Sequence, residues 1–503
     1  MGFMGEGKFS KMYSMKLRTA YIASLFTAVL LGQDAGMVLR TSVGYNTQKA
    51  GLPADDPRRK EADRLGIEAQ NVGLSGKLGD AMRLYLQGFA VMNKVAWTPA
   101  VELAASLQAK ADHAMLEPGN KISLTLTPMY KTEGAAAMTV SLYLQPVNQE
   151  GATAQQVVAA TAIDSAKLPQ VLSFTVPESG TGNYMLEARL RPAGVEGDPA
   201  PKNIFVKGVA VHVEKLAATA QKMRGRLEAM KLKSPTAEYG LALYKMADSS
   251  EVSPHRYDFS KEFQASAALL DQMAEGKDPF AGKLGDMRKA YRSDVDNTLQ
   301  PYRVFIPSSY DPNKPAPLVV ALHGMGGDES SMFDLYRNGE LKKQADRLGF
   351  IVVCPKGRDS ASMYRGPAEK DVLDVLAEVR GDYKIASERI YLMGHSMGGF
   401  GTWSIAMNYP DLFAALGPFA GGGTPSGMAK IKHIPQYVVH GDNDRTVPVG
   451  MSRSMVKAGK EAGAKIVYVE VAGGSHSDVV VPQFAAMLDF FAEQSKGKPQ
   501  GDR

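Results

Sequence analysis

One cysteine in 503 residues, Cys354, leaves no partner for an internal disulfide. It closes the apolar run Phe350-Ile-Val-Val-Cys354, which has the character of a buried strand, so the thiol reads as a small core residue. Net charge is small as well: +5 over this length is no nucleic-acid footprint. Beyond the N-terminal segment no stretch is long and apolar enough to span a bilayer. Metal-ligand spacing is missing as well. His323 and His395 flank glycines, at the rim of a prospective site, with no Cys, Asp or Glu at ligand distance in sequence. Gly324-Met-Gly-Gly327 lacks the G-x-G-x-x-G register of a dinucleotide loop, and Gly76-Lys-Leu-Gly-Asp80, repeated at Gly282-Lys-Leu-Gly-Asp286 ahead of a Met- and Arg-containing segment expected to be helical, lacks phosphate-loop spacing. Neither a cofactor nor a metal is expected. What remains, 44% hydrophobic and 22% charged, is an ordinary globular composition with room for two or three domains.

Residues 1–35 read as a targeting segment, with a buried or frayed N-terminal helix as the alternative. Lys16 and Arg18 precede an apolar stretch from Ala20 to Gly32 that is short for a membrane span but suits a signal-peptide core. Met15 is a second candidate start. Export, to a secreted or periplasmic location, is the expectation, with no integral membrane segment in the mature chain.

Residues 36–118 are expected to be a helical region, with Leu84, Leu86, Phe89 and Met92 and then Val101, Leu103 and Leu107 at helical spacing up to Pro118-Gly119. The period then changes. Ile122, Leu124 and Leu126 alternate with Ser and Thr, as do Val140, Leu142 and Leu144, and similar runs follow to Val213. Short strands separated by Pro, Gly and Asn predict an immunoglobulin-like β-sandwich over 119–214. It has no acid or metal constellation, which favours a structural role over carbohydrate binding. Residues 215–297 return to charged, amphipathic helical pattern and read as a linker region.

From 298 to 497 short apolar runs alternate with helical patterns, one of them a single helix over 333–348, which predicts a mostly parallel sheet with helices on both faces, an α/β fold. One strand meets a helix at Gly394-His-Ser-Met-Gly398, a G-x-S-x-G elbow in which Cβ atoms at either glycine would strike the neighbouring strand and helix. Pro317-Leu-Val-Val-Ala-Leu322 opens into His323-Gly-Met-Gly-Gly327. Gln436-Tyr-Val-Val-His440 exits through Gly441-Asp-Asn-Asp-Arg-Thr-Val-Pro448, and the last strand is followed by Gly473-Gly-Ser-His-Ser477. Ser, acid and His each stand just past the C-terminal end of a strand.

In LHGMGG, GHSMGGFGTW, HGDNDRTVP and GGSH this part of the chain resembles the compact α/β-hydrolase serine esterases, the group of feruloyl and acetylxylan esterases, polyhydroxybutyrate depolymerases and small carboxylesterases. The resemblance implies Ser396 as nucleophile, Asp444 as the acid and His476 as the base. It also implies an oxyanion hole from the backbone N–H groups of Met325 and Met397. The residues favour the same choices. His433 and His440 precede or end strands, whereas His476 sits in a loop free to aim its ring. Asp442 is out of register with Val447-Pro448, and Asp411 belongs to a helix end.

Ester hydrolysis through an acyl-enzyme is the implied activity, on small-molecule or polysaccharide-linked esters. Two other readings remain. A prolyl-oligopeptidase-type peptidase shares the elbow and residue order, but its usual β-propeller would show as a repeat, and none is visible. A non-catalytic surface-binding protein would not need the three residues intact. Tyr364-Arg365 is a weaker candidate substrate contact, and Trp403 reads as core.

Overall fold

The computed structural model describes residues 35–497, apart from 135, 150, 179, 194, 196–200, 231, 232, 338 and 360. The basic, apolar segment read as a targeting signal therefore lies outside the described residues up to position 34. The chain divides into two compact units, residues 1–230 with 240–267, and residues 231–239 with 268–503.

The first unit opens with helices Ala35–Ala50, Pro57–Leu74 and Leu78–Met92. Asp56 caps the second by accepting the Arg58 N–H, with Pro57 at its first position. These helices close on Tyr45, Ala62, Ala69, Tyr85 and Met92. A fourth helix, Pro99–Ser106, leads into strands earlier than the helical spacing suggests, because Leu107 already begins β1. The strands are β1 Leu107–Ala111, β2 Met115–Leu116, β3 Lys121–Pro128, β4 Met138–Pro146, β5 Gln155–Ile163, β6 Gln170–Thr175, β7 Gly182–Pro192 and β8 Val206–Val213. They form two sheets, β1-β3-β6 and β2-β8-β7-β4-β5. Strict alternation along β3, β4 and β7 puts Ile122, Leu124, Val140, Leu142, Leu186 and Ala188 into one shared core.

The second unit is built on eight strands: β9 Gly285–Arg292, β10 Leu299–Ile306, β11 Ala316–Leu322, β12 Ile351–Pro355, β13 Ile385–His395, β14 Ala415–Phe419, β15 Gln436–Gly441 and β16 Ile466–Val471. Their order is β16-β15-β14-β13-β11-β12-β10-β9, with β10 antiparallel to both neighbours and the rest parallel. This is the mostly parallel sheet that the alternating pattern of residues 298–497 predicts. β11 is buried along its whole length. Leu318, Val320 and Leu322 face one core with Leu392, Val438 and Trp403, while Val319 and Ala321 face a second with Tyr391, Val439 and Phe484. A strand covered on both faces must be apolar throughout, hence its unbroken hydrophobic run.

Two expectations change here. The segment after Gly282-Lys-Leu-Gly-Asp286 is not a helix but the edge strand β9, paired residue for residue with β10. Its charges conceal its strand character, since Asp286 is bonded to Arg303 and Lys342 and Arg292 to Glu238. The single helix expected over 333–348 is two, Ser331–Asp334 and Glu340–Leu348.

Candidate active site

The elbow is where β13 passes into the helix Met397–Asn408. Ser396 stands there at φ 57°, ψ −116°, a conformation costing about 1–3 kcal/mol that only fixed surroundings sustain. The surroundings are close. A Cβ on Gly394 would lie 2.5 Å from the Gly398 carbonyl carbon, and one on Gly398 would lie 2.2 Å from the Leu322 carbonyl oxygen. Only glycine lets β11, β13 and the helix converge tightly enough to lift Ser396 Oγ clear of the backbone.

The loops after β15 and β16 bring the other two residues to it. Nε2 of His476 is 2.9 Å from Ser396 Oγ, and Nδ1 is 2.7 Å from Asp444 Oδ2. The loops are fastened to one another by Asn443 N–H donating to Gly474 O at 3.1 Å and by Gly473 N–H donating to Asp442 Oδ1 at 2.7 Å. Asp442 is thus engaged with the backbone of the loop that carries His476, and Asp444 alone of the two reaches the imidazole.

Asp444 is saturated with donors. Its Oδ1 accepts the N–H groups of Thr446 and Val447, each at 2.8 Å, and its Oδ2 has His440 Nε2 at 3.2 Å besides His476. Burial opposes its ionised form, but the hydrogen bonds from His440 and His476 outweigh it and hold the carboxyl well below the usual range. His440, fully buried and held on its other nitrogen by Ser452 Oγ at 2.7 Å, is thus a second neighbour of the acid. The only signal in sequence was its place four residues before Asp444. His433 is remote, bonded to Pro410 O.

The loop after β11 runs beside the serine: a Cβ on Gly324 would sit 3.4 Å from Ser396 Cβ. Met325 is half-buried on this loop, and Met397 is buried directly after the serine. His323 and His395 are not at a rim. They are 1% and 4% exposed, because each ring is needed to satisfy buried carbonyls. His323 Nε2 is 2.7 Å from Lys356 O, and His395 Nε2 is 2.8 Å from His476 O. Tyr364 is likewise buried and packs under Gly357 and Gly401, so it offers no substrate contact. Trp403 is core, its Nε1 donating to Gln436 Oε1 at 2.9 Å. An open cleft of about 510 Å³ lies beside the loop that carries His476, bordered by Leu335, Tyr336, Ser477 and Val481. Among the described residues no group of three or more His, Cys, Asp or Glu is arranged to hold a metal ion. No helix among them is long and apolar enough to cross a membrane.

Residues 297–462 match a protein family described as "Putative esterase". The chain is 32% identical over 144 residues to a bifunctional acetylxylan esterase/xylanase of Neocallimastix patriciarum, covering 28% of this chain and 21% of that one. It is 36% identical over 120 residues to feruloyl esterase B of Neurospora crassa, covering 22% and 39%. The chain thus spans well under half the length of these curated relatives. A ferulic acid esterase structure from Anaeromyces mucronatus superposes with a TM-score of 0.36 at 21% identity, covering 43% of this chain and 94% of that one. The similarity to esterases seen in the motifs is matched by the family comparison over residues 297–462.

Proposed function

We propose that this protein hydrolyses carboxylic esters through an acyl-enzyme. The observation that carries the reading is the unbroken hydrogen-bonded line from Ser396 Oγ through His476 to Asp444, at 2.9 and 2.7 Å. A serine hydroxyl is a weak nucleophile at neutral pH, and His476 Nε2 is within reach to take its proton as Oγ adds to the ester carbonyl. Asp444 fixes the imidazole with Nδ1–H toward itself and stabilises the imidazolium that forms. Proton return from Nε2 to the alkoxy oxygen releases the alcohol, and water repeats the sequence on the acyl-enzyme. The N–H groups of Met325 and Met397 serve as oxyanion donors, a role supported by the adjacency of the Gly324 loop to Ser396.

The substrate in this reading is a short-chain acyl or aryl ester, on a bulky or carbohydrate alcohol. Two features support it. The connection from β14 to β15 contains only the short 3₁₀ turn Pro425–Ile431, not a lid, and an open cleft beside the base loop leaves room for the alcohol. The relatives named for feruloyl and acetylxylan ester cleavage point the same way.

A fluorophosphonate probe should label the wild-type protein at Ser396 and leave Ser396→Ala unlabelled. A panel of p-nitrophenyl acetate, methyl ferulate, acetylated xylan and a prolyl amide should show turnover of esters only. Turnover of the amide alone would overturn the ester reading in favour of a peptidase, and no labelling at all would overturn catalysis.

A further inference from the structure

The proposed nucleophile is preceded by a histidine that the reaction itself does not use. His395 ends β13, is 4% exposed, and bonds at both ring nitrogens: Nδ1 to Tyr336 Oη at 2.6 Å, Nε2 to the carbonyl oxygen of His476 at 2.8 Å. A carbonyl can only accept, so Nε2 carries the hydrogen and donates. Burial, with the nearby His476 adding to it, pushes the His395 pKa down to about 3, so the ring is neutral and Nδ1 must accept. Tyr336, whose phenol burial pushes above its ordinary range, keeps its hydrogen and donates it there. The tautomer of His395 is thereby set from one end, and the backbone of His476 is gripped at the other. Tyr336 is itself packed edge-on against His395 and Phe484, with ring centroids 5.6 and 6.2 Å apart.

We infer that His395 is a positioning residue that clamps the main chain of His476 to the strand carrying Ser396, and that Tyr336 locks the tautomer this clamp requires. The inference rests on the reading of Ser396 and His476 as nucleophile and base. The geometry makes the clamp specific. The Asn443 and Asp442 bonds hold the base loop at Gly474 and Gly473, before the base, whereas His395 holds the carbonyl of the base residue itself. Because His395 adjoins Ser396 in the chain, one rigid strand end sets both partners of the 2.9 Å Nε2–Oγ contact. Neutrality matters equally. The two imidazole rings are 4.7 Å apart, and a charged His395 would oppose the imidazolium that His476 becomes.

The test is steady-state kinetics on p-nitrophenyl acetate with His395→Leu, His395→Gln and Tyr336→Phe, each checked for cooperative unfolding. Misplacing a reacting group by about 1 Å costs roughly 100-fold, so His395→Leu should lose about 100-fold in kcat with KM nearly unchanged. Gln, whose amide can still donate to the His476 carbonyl, should recover most of that loss. Tyr336→Phe removes one oxygen, keeps the packing, and should lose about tenfold. The inference is overturned if a folded His395→Leu keeps wild-type kcat, if Gln is as poor as Leu, or if the losses fall in KM. Should the Leu variant not fold, Tyr336→Phe decides alone, wild-type kcat there refuting the clamp. Wild-type labelling at Ser396 by the fluorophosphonate, run in parallel, separates failure of this inference from failure of the underlying function.

Discussion

Gly398 and the Leu322 carbonyl meet with no room for a methyl group, since a Cβ on Gly398 would lie 2.2 Å from that oxygen. Both atoms in the conflict are backbone, so neither can swing aside. Gly398→Ala should therefore destabilise the second unit by about 1–3 kcal/mol, the usual range for overpacking, or more. It should also move Ser396 away from His476. A urea titration beside fluorophosphonate labelling checks this: the midpoint should drop and labelling should slow in the protein that remains folded.

Asp444 and Asp442 should separate cleanly on substitution. Asp444→Asn replaces an acceptor that holds two backbone N–H groups and two histidines, and a loss of about 10⁴-fold in kcat is typical of this exchange. Ser396→Ala and His476→Ala should cost at least as much, because the three act as one unit. Asp442→Asn keeps an oxygen that can accept the Gly473 N–H and should stay within about tenfold of wild type. Equal losses at both aspartates would mean the acid has been misassigned.

Much of this was legible in the sequence because the elements are the kind that local pattern specifies. β11 is buried on both faces and so reads as an unbroken apolar run, and the glycines of the elbow are forced by contacts under 3 Å. The illegible parts were decided by partners far away in the chain. β9 hides its strand character because Asp286 and Arg292 are neutralised by Arg303, Lys342 and Glu238. His323, His395 and Tyr364 look like loop residues, yet all three are buried, and glycines not adjacent to them make room for two of the rings: a Cβ on Gly327 would lie 2.8 Å from His323 Nδ1, and Cβ atoms on Gly357 and Gly401 would lie 2.5 and 2.8 Å from the Tyr364 ring. Nothing in local spacing says that a polar ring will be consumed by a carbonyl 81 positions away, as His395 is by His476.

The first helix bears on the proposed export signal. Tyr45 is fully buried, donates to Ala62 O at 2.6 Å and fills the space over Gly88, where a Cβ would strike its hydroxyl. Removing it would open a cavity costing about 3–5 kcal/mol, the range for deleting a large aromatic. A processed chain should thus begin before the helix is compromised, between Leu30 and Met37. Intact-mass spectrometry of protein from its own host reads the new N-terminus directly, and a chain beginning at Met1 or Met15 would refute processing.

Acyl-chain length should report on how open the site is. A fully buried methylene adds about 0.8 kcal/mol and one left in water adds nothing. With no lid between β14 and β15, kcat/KM on p-nitrophenyl esters should peak at about two to four carbons and fall by about eight, since the binding gain saturates once methylenes leave the pocket. Rates rising to long chains with a jump above the solubility limit would instead require a lipid-binding cover.

Acid sensitivity follows from His395. Its pKa is about 3 in the folded protein, against an ordinary value near 6.5. Between those values the unfolded chain binds a proton that the folded chain refuses, so stability rises with pH across the window and is lost as pH falls below about 6.5. The slope is of the order of 1 kcal/mol per pH unit at most. Asp444, held low, acts in the same sense but only below the ordinary carboxylate range. Glu329 and Asp371 act oppositely. Burial raises both, Asp371 to about 6, and an acid with a raised folded pKa loses its stabilising contribution as pH climbs through that value. The absolute slope therefore mixes signs, and the informative quantity is the difference between wild type and His395→Gln. The groups facing His395 are Tyr336, His476 and, further off, Asp444 and His440, all of which the substitution leaves in place. Urea midpoints taken from pH 7 to pH 4 should show wild type losing stability to acid relative to the variant, starting near pH 6.5. Parallel curves would mean that the His395 ring takes up its proton as readily in the folded protein as in the unfolded chain, and the neutral tautomer whose Nδ1 accepts from Tyr336 would be gone.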